Sequence, residues 1–432
     1  MKKILAALLM LMCFAYHAKA ELRIDVTEGT FKPVPIAITP FDGGGDPQLA
    51  QLGQDITKVI MNDLQSCGLF KIVDPNAHIQ SARDVMSNPR FPDWKLINAE
   101  ALVGGLLKRS GSQVQVDFRL FDVFTESQLT GLSLGTDASN WRRVAHQVAD
   151  AIYERMTGDK GYFDTKIVYI AESGRELKGH RKYRLAIMDQ DGENHAYLSA
   201  GNSMVLTPRF SPDRTKIAYL DFGKNNKAPN LHIFDLAKGH SESLGAIKGL
   251  KMTPRFSPDG SHLVLSVAEG GVTSLYRMDL GSKKLTRLTT SSGAIDVSPC
   301  YDPEGKQIVY SSDRGGKPQL YISDAGGGGG TRISFGKGWY HNPVWSPRGD
   351  LIAFTKQDGG FYIGVMRPDG SGERLIASGY LLEGPSWSPN GREIIYTCQD
   401  TAQSKAGLES VDIVGFNKRK LKTPGEATYP TW

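Results

Sequence analysis

The sequence predicts a two-domain protein, with a small N-terminal α/β domain followed by a six-bladed β-propeller closed by the C-terminus. Three observations favour this fold. A short phrase recurs through the C-terminal two-thirds of the chain, an apolar run near residue 167 lacks that phrase, and the last residues carry the phrase with no strand after it. A repeat of roughly 40–50 residues with several short strands is typical of propeller blades. The length of 432 residues also favours two domains over one.

The repeated phrase reads Pro-Arg-Phe-Ser-Pro-Asp-Gly at 254–260, and variants of it make up five full copies. Its first prolines are separated by 46, 45, 44, 42 and 45 residues, which is a nearly constant period. These prolines are Pro208, Pro254, Pro299, Pro343, Pro385 and, in a shortened last copy, Pro430. Each copy therefore marks the same point of one blade.

Each part of the phrase has a predicted role. We expect the leading proline at the first residue of a strand, where no N–H is needed for the ladder. We expect the aromatic residue two positions later to be buried between neighbouring blades. The Ser/Asp-Pro-x-Gly part predicts a tight turn, because Ser or Asp accepts a hydrogen bond at its first position and Pro fits its second.

An uninterrupted apolar run follows each full copy, which is typical of a strand covered on both faces. These runs are 217–220, 263–266, 308–311, 352–355 and 394–397. One more run, 167–170, has no phrase before it, whereas Pro430–Trp432 has no strand after it. We infer that both belong to one blade, so that the C-terminus supplies its inner strand. Six blades then form a ring without open sheet edges.

Residues 1–20 are typical of a secretory signal peptide. Two lysines precede the apolar run 4–14, and Ala18-Lys19-Ala20 fits a cleavage site after Ala20. The apolar run is shorter than the roughly 20 residues that cross a bilayer, so we expect an exported mature chain without a membrane span. Removing three signal-peptide lysines from 51 basic residues leaves 48 against 46 acidic residues. This balance gives no support for a nucleic-acid partner.

Residues 21–160 lack the blade period and predict the α/β domain, whereas 161–432 form the propeller. The helices are expected at Leu49–Leu64, before Gly68, and at Trp141–Met156, with Ser139 or Asn140 as its cap. Strands are expected at 34–41, 70–73 and 102–107, with a hairpin formed by 114–124 and 128–134. The alternating segment 21–27 predicts either a short strand of this domain or an extended arm.

The sequence offers little catalytic chemistry. It lacks the Gly-x-Ser-x-Gly, His-Glu-x-x-His and Cys-x-x-Cys spacings, so we expect no enzyme, cofactor or metal. Cys67, Cys300 and Cys398 are expected to be buried free thiols, although a Cys300–Cys398 bridge stays open as an alternative. Gly326–Gly330 predicts a hairpin loop, since no Gly-Lys-Ser/Thr follows it.

The loops before the inner strands predict a binding rim. They end at Thr207, Thr253, Ser298, Asn342, Gly384 and Tyr429. His341 falls in one of these loops and is a candidate ligand or a solvated loop residue. The alternative function is an exported propeller enzyme, a lyase or hydrolase with its site in the channel. That alternative requires His, Asp or Glu at equivalent inner-strand positions, where the sequence has Arg209, Arg255, Cys300, Val344 and Ser386.

The signal peptide, the α/β domain, the five full copies of the repeated phrase and the final Pro-x-Trp together resemble the TolB family, a periplasmic component of the Tol–Pal system. The resemblance covers the whole chain and implies a non-enzymatic, monomeric adaptor in the periplasm. It implies binding to the lipoprotein Pal at the outer membrane and to TolA of the inner-membrane complex, and it allows other outer-membrane proteins as partners. The implied role is in outer-membrane invagination during cell division and in envelope integrity.

The resemblance also implies where these partners bind. The TolA-binding segment would be Glu21, Leu22, Arg23, Ile24, Asp25 and Val26, whose alternation fits strand addition to a partner's sheet edge. The Pal-binding positions on the propeller rim would be Leu250, Thr253, Val297, His341 and Glu383.

Overall fold

The computed structural model describes residues 22–24, 32–174, 181–223, 229–245, 249–290 and 293–432. The expected signal peptide, residues 1–20, therefore lies outside the described residues. The chain divides into two compact units, Met1–Gly161 and Tyr162–Trp432. Among the described helices, we find none with the length and apolar character that crossing a membrane requires.

The N-terminal unit is a five-stranded sheet with helices. Its strands are β1 (Val34–Ile38), β2 (Phe70–Ile72), β3 (Ala101–Ser110), β4 (Gln113–Asp122) and β5 (Ser127–Asp137), in the spatial order β2-β1-β3-β4-β5. Its helices are α1 (Pro47–Ser66), α2 (Ala82–Ser87), α3 (Phe91–Leu96) and α4 (Trp141–Thr157). Strand β1 is parallel to both neighbours, whereas β3, β4 and β5 form an antiparallel meander.

Capping residues mark the start of the long helix α1 and the end of the long helix α4. The Asp46 carboxylate accepts from the N–H groups of Gln48 and Leu49, and Pro47 occupies the first turn of α1. Helix α4 ends at Thr157, and the following Gly158 has a φ of +80° and donates its N–H to Glu154 O. The helices pack against each other, and their contact buries a hydrogen bond of 2.6 Å between His146 Nδ1 and Asp63 Oδ2.

Three details of this unit differ from the sequence-based expectation. Strand β1 ends at Ile38 rather than at Phe41. The short helices α2 and α3 were not predicted, because six-residue helices show too little periodicity. Asn140 precedes α4 but provides no side-chain cap, since a 3-10 turn at Ala138–Asn140 leads directly into the helix.

The propeller unit contains six four-stranded antiparallel blades, as the sequence predicted. Five of these blades order their strands along the chain from the innermost to the outermost. They are β9 (Val205–Phe210), β10 (Lys216–Asp221), β11 (Asn230–Asp235) and β12 (His240–Ser243); β13 (Leu250–Phe256), β14 (His262–Glu269), β15 (Val272–Asp279) and β16 (Leu285–Arg287); β17 (Asp296–Tyr301), β18 (Gln307–Ser312), β19 (Gln319–Asp324) and β20 (Thr331–Arg332); β21 (Trp339–Trp345), β22 (Ile352–Gln357), β23 (Phe361–Met366) and β24 (Arg374–Gly379); and β25 (Leu381–Trp387), β26 (Glu393–Gln399), β27 (Gly407–Asp412) and β28 (Arg419–Leu421).

The sixth blade closes the ring. It consists of β29 (Glu426–Thr431), β6 (Lys166–Ser173), β7 (Lys182–Asp189) and β8 (Ala196–Tyr197). Strand β29 is the inner strand and pairs antiparallel with β6, so the two ends of the propeller sequence share one sheet. The six inner strands contact one another in cyclic order, from β9 through β13, β17, β21, β25 and β29 back to β9.

The repeated proline does not begin its strand, contrary to the expectation. Pro254, for example, is the fifth residue of β13, because the strand starts at Leu250. Thr253 and Pro254 together face the single residue Leu265 on β14, which is a β-bulge. The same two-against-one register recurs in all six blades. The bulge takes the proline out of the hydrogen-bonded ladder, so its missing N–H leaves no acceptor unpaired.

The aromatic residue of the phrase connects neighbouring blades. The indole Nε1 of Trp387 donates to Val344 O at 2.9 Å in the preceding blade. The backbone N–H of Trp345 donates to Cys300 Sγ at 3.4 Å, also in the preceding blade. Tyr301, Trp345, Trp387 and Trp432 are buried as predicted, whereas Phe210 and Phe256 are half-exposed. The following turn also forms as predicted, with Gly260 N donating to Ser257 O.

The remaining sequence features agree with their interpretation. Cys67, Cys300 and Cys398 are buried and free, so the structure contains no Cys300–Cys398 bridge. Gly326–Gly330 lies between β19 and β20.

Candidate functional site on the inner strands

The inner strands present one equivalent side chain each, immediately before the bulge. This position is half-exposed in all six blades, although the strands around it are largely buried. We call these residues the inner ring: Leu206, Met252, Val297, His341, Glu383 and Thr428. The ring combines three apolar, one imidazole, one carboxyl and one hydroxyl side chain. Such a mixture suits a protein surface better than it suits a metal or a catalytic centre.

The predicted Pal-binding residues fall on four consecutive blades. Val297, His341 and Glu383 are members of the inner ring, Thr253 follows Met252 at the bulge, and Leu250 begins β13. His341 was expected in a loop but lies within strand β21. The residues that were expected to end the loops before the inner strands also lie inside those strands. The reason is that the inner strands start three to four residues before the proline. The predicted residues thus form a contiguous arc on the inner strands.

Burial disfavours the charged form of two members of this arc. The partly buried position of His341 lowers the pKa of its imidazole below the ordinary value of 6.5. Burial raises the pKa of the Glu383 carboxyl above its ordinary 4.5. The imidazole also lies edge-on to Trp339, with ring centroids 6.2 Å apart. Both polar side chains are therefore poorly hydrated, which makes a hydrogen bond from a partner protein more favourable.

Hydrogen bonds at two of the bulges link adjacent blades. Ser298 Oγ donates to Asn342 Oδ1 at 3.0 Å, and the Tyr429 N–H donates to Thr397 Oγ1 at 3.0 Å. These bonds fix the backbone directly behind the inner ring. A preformed surface loses less entropy on binding than a mobile one.

Sequence reasoning missed part of this surface. Leu206, Met252 and Thr428 share the ring position, and Trp339 is an exposed aromatic residue beside His341. The sequence does contain a signal for the whole ring, because each ring residue lies two positions before a repeated proline. Without the bulge, however, that spacing gave no indication of which side chains stay exposed.

The channel shows no catalytic constellation at the positions after the prolines. These are Arg209, Arg255, Cys300, Val344, Ser386 and Thr431, and they include neither a carboxylate nor an imidazole. General acid–base chemistry needs such a group within hydrogen-bond reach of the substrate. The alternative of a channel enzyme therefore finds no support at the positions where it was expected.

The described part of the N-terminal segment, Leu22–Ile24, lies on the N-terminal unit. The Leu22 N–H donates to Asp122 Oδ2 at 3.3 Å, and the Ile24 N–H donates to Met156 O at 2.8 Å. Ile24 is buried, and these three residues belong to none of the described strands. Glu21, Asp25 and Val26 of the predicted TolA-binding segment lie outside the described residues.

Comparison with known proteins agrees with this architecture. Residues 153–432 match the model of the TolB beta-propeller domain, and residues 22–129 match that of the TolB amino-terminal domain. A Tol-Pal system protein TolB from Gluconobacter oxydans is 44% identical over 97% of this chain and 90% of its own length. The chain belongs to the TolB family. A second TolB, from Paramagnetospirillum magneticum, is 53% identical over 54% of this chain and 51% of its own length.

Solved structures support the same assignment. The crystal structure of TolB from Acinetobacter baumannii superposes with a TM-score of 0.82 at 28% identity, covering 95% of this chain and 99% of that one. Membership of the TolB family makes the protein a non-enzymatic component of the Tol–Pal system.

Proposed function

We propose that the protein is a periplasmic adaptor that connects Pal, at the outer membrane and peptidoglycan, to TolA of the inner-membrane complex. In this role it contributes to outer-membrane invagination during cell division and to envelope integrity. The observation that carries the proposal is the inner ring, a half-exposed and rigidly backed set of side chains on the propeller of a TolB-family chain.

Pal binds, in this proposal, to the arc formed by Leu250, Thr253, Val297, His341 and Glu383. Leu250 supplies exposed apolar surface at one end of the arc, since the residue is 43% exposed. His341 and Glu383 supply poorly hydrated hydrogen-bonding groups at the other end. An apolar contact beside desolvated polar groups is the usual composition of an energetically dominant interface region.

Two exposed leucines allow a matched test of the Pal surface. Leu375 lies on the outer strand β24 and is 46% exposed, which is close to the exposure of Leu250. We expect Leu250→Ala to weaken binding of the Pal ectodomain about 5- to 30-fold in calorimetry, because it removes about 1–2 kcal/mol of buried apolar contact. The variant Leu375→Ala is expected to bind like the unaltered chain. Equal affinities of both variants and the parent chain would contradict the proposed surface.

TolA binds, in this proposal, to the segment 21–26 by adding it as a strand to a TolA sheet edge. The three described residues of the segment are held by hydrogen bonds that two of their backbone N–H groups donate, one to the Asp122 carboxylate and one to Met156 O, and by burial of Ile24. Strand addition uses the same backbone N–H groups, so the segment has to leave the N-terminal unit before TolA can pair with it.

Deleting residues 21–26 tests whether TolA and Pal bind at two separate sites. We expect the shortened mature chain to lose TolA binding and to keep Pal binding with unchanged affinity, as measured by co-purification and calorimetry. Simultaneous loss of both partners would show that the segment is structural rather than a binding site. Circular dichroism of the shortened chain provides the folding control.

A further inference from the structure

Two arginines occupy equivalent positions on neighbouring inner strands. Arg209 on β9 and Arg255 on β13 each follow the repeated proline, and these strands contact each other. Arg209 is 7% exposed, and Arg255 is half-buried. In the other blades this position holds Cys300, Val344, Ser386 and Thr431. Both guanidinium groups therefore lie on the same side of the propeller.

The structure gives these guanidinium groups almost no partners. Arg209 Nη1 donates to Pro208 O at 2.7 Å, but its buried Nε has no hydrogen-bond partner. Among the described residues, we find no side-chain hydrogen bond of Arg255 and no carboxylate paired with either arginine. Burial lowers the pKa of both groups, and the charge of Arg255 lowers that of Arg209 further. A buried charge without a counter-charge is costly, and a second like charge beside it increases the cost.

A cavity of about 350 Å³ lies in front of the two arginines at this end of the channel. Arg214 contributes a third guanidinium group to its wall and is half-buried, and this burial lowers its pKa. One carboxylate side chain, Asp302, also lines the cavity, but its Oδ1 accepts from the Gln307 N–H within its own turn. Among the side chains of the lining, three are therefore cationic and one is a committed carboxylate. Since a water molecule occupies about 30 Å³ of liquid, the cavity has room for an ion together with several waters.

We propose that this channel cavity binds an oxyanion, a phosphate or a carboxylate group, between Arg209 and Arg255. The planar guanidinium groups present N–H donors in the geometry that phosphate and carboxylate oxygens accept. The oxyanion would supply the missing counter-charge and satisfy Arg209 Nε. This site is separate from the inner ring and does not depend on the partners proposed above.

Calorimetric titration of the mature chain, residues 21–432, with inorganic phosphate and separately with acetate tests the site and distinguishes the two oxyanions. We expect saturable binding of at least one of them, and a rise in the unfolding midpoint of about 2–4 °C at saturation. The variants Arg209→Gln and Arg255→Gln are expected to lose this binding at least tenfold. The control Arg374→Gln removes an exposed arginine from the outer strand β24 and is expected to bind like the parent chain.

Three results would overturn the proposal. They are absence of saturable binding in the folded parent chain, an equal rise of the midpoint with sodium chloride of the same ionic strength, and undiminished binding in Arg255→Gln. If Arg209→Gln does not fold, as judged by circular dichroism, the affinity of Arg255→Gln alone tests the proposal. Arg255 is only half-buried, so we expect its substitution to leave the fold intact.

Discussion

Single residues store strain at the same point of every inner strand. The residue before the repeated proline has a φ between +47° and +63° in all six blades, and only Gly384 among them is a glycine. The others are Thr207, Thr253, Ser298, Asn342 and Tyr429. A left-handed backbone costs a non-glycine residue roughly 1–2 kcal/mol. The surrounding blades must therefore hold this conformation in place.

Gly384→Ala measures this strain directly. An added Cβ at Gly384 would meet no atom within 4 Å, so steric clash with neighbours makes no contribution. We expect the free energy of unfolding to fall by about 1 kcal/mol in urea denaturation, because alanine disfavours the left-handed backbone. Gly384→Asn is the matched control and should lose less, since asparagine tolerates this conformation and Asn342 already adopts it in the preceding blade. An alanine variant as stable as the parent would show that the bulge is not strained.

The lowered pKa of His341 predicts a pH dependence of stability. The folded chain resists protonation of this imidazole, whereas the unfolded chain takes up the proton near the ordinary pKa of 6.5. The unfolded state therefore binds more protons as pH falls from 6.5 towards the lower folded pKa, and stability decreases over that window. Denaturation at pH 7.5 and pH 5.5 checks this, with His341→Gln expected to lose less stability than the parent. A parallel loss in both chains would contradict the assigned pKa direction.

At the scale of elements, the closing strand β29 is held by more than its ladder with β6. Trp432 follows β29 and is buried, and its backbone N–H donates to Ser386 Oγ at 3.1 Å in the neighbouring blade. Its Nε1 donates to Thr165 Oγ1 at 2.7 Å, and its ring meets that of Tyr162 edge-on. The last residue thus connects the end of the closing strand to Tyr162 and Thr165, which precede β6, and to Ser386 in the neighbouring blade.

Trp432→Ala should destabilise the propeller by about 3–5 kcal/mol, which is the typical cost of removing a buried tryptophan. Trp432→Phe keeps the aromatic packing and should cost about 1–2 kcal/mol through loss of the Nε1 hydrogen bond. Thermal unfolding of both variants gives the comparison. Equal effects of the two substitutions would show that ring packing does not contribute as proposed.

At the scale of the whole propeller unit, the same strand decides whether the ring of blades is closed. Removing residues 425–432 would leave β6 with an unpaired edge, and open edges of sheets promote association between chains. We expect the truncated chain to form oligomers in size-exclusion chromatography, while the full chain stays monomeric. Trp432→Phe is the control that keeps β29 in place. A monomeric, cooperatively unfolding truncated chain would refute this role of closure.

Sequence alone was sufficient for the number of blades and for their closure. A period near 45 residues and two incomplete repeats at 167–170 and 430–432 are signals that extend across the chain, and they do not depend on the conformation of any one residue. The candidate surface was found only in part. Val297, His341 and Glu383 were named as positions that the family resemblance implies, whereas Met252 and Leu206 at the same position of their blades were not.

The tertiary structure decided what local sequence does not encode. Threonine, serine and tyrosine give no local indication of a left-handed backbone, so the bulge that exposes the inner ring follows from the packing of the blades. Arg209 and Arg255 are 46 residues apart, and their mutual approach without a counter-charge exists only once the strands surround the channel. The periodic pattern thus determined the architecture, because burial repeats with the blade. The electrostatics of the channel and the exposure of the ring depend on contacts between blades, which only the folded molecule brings together.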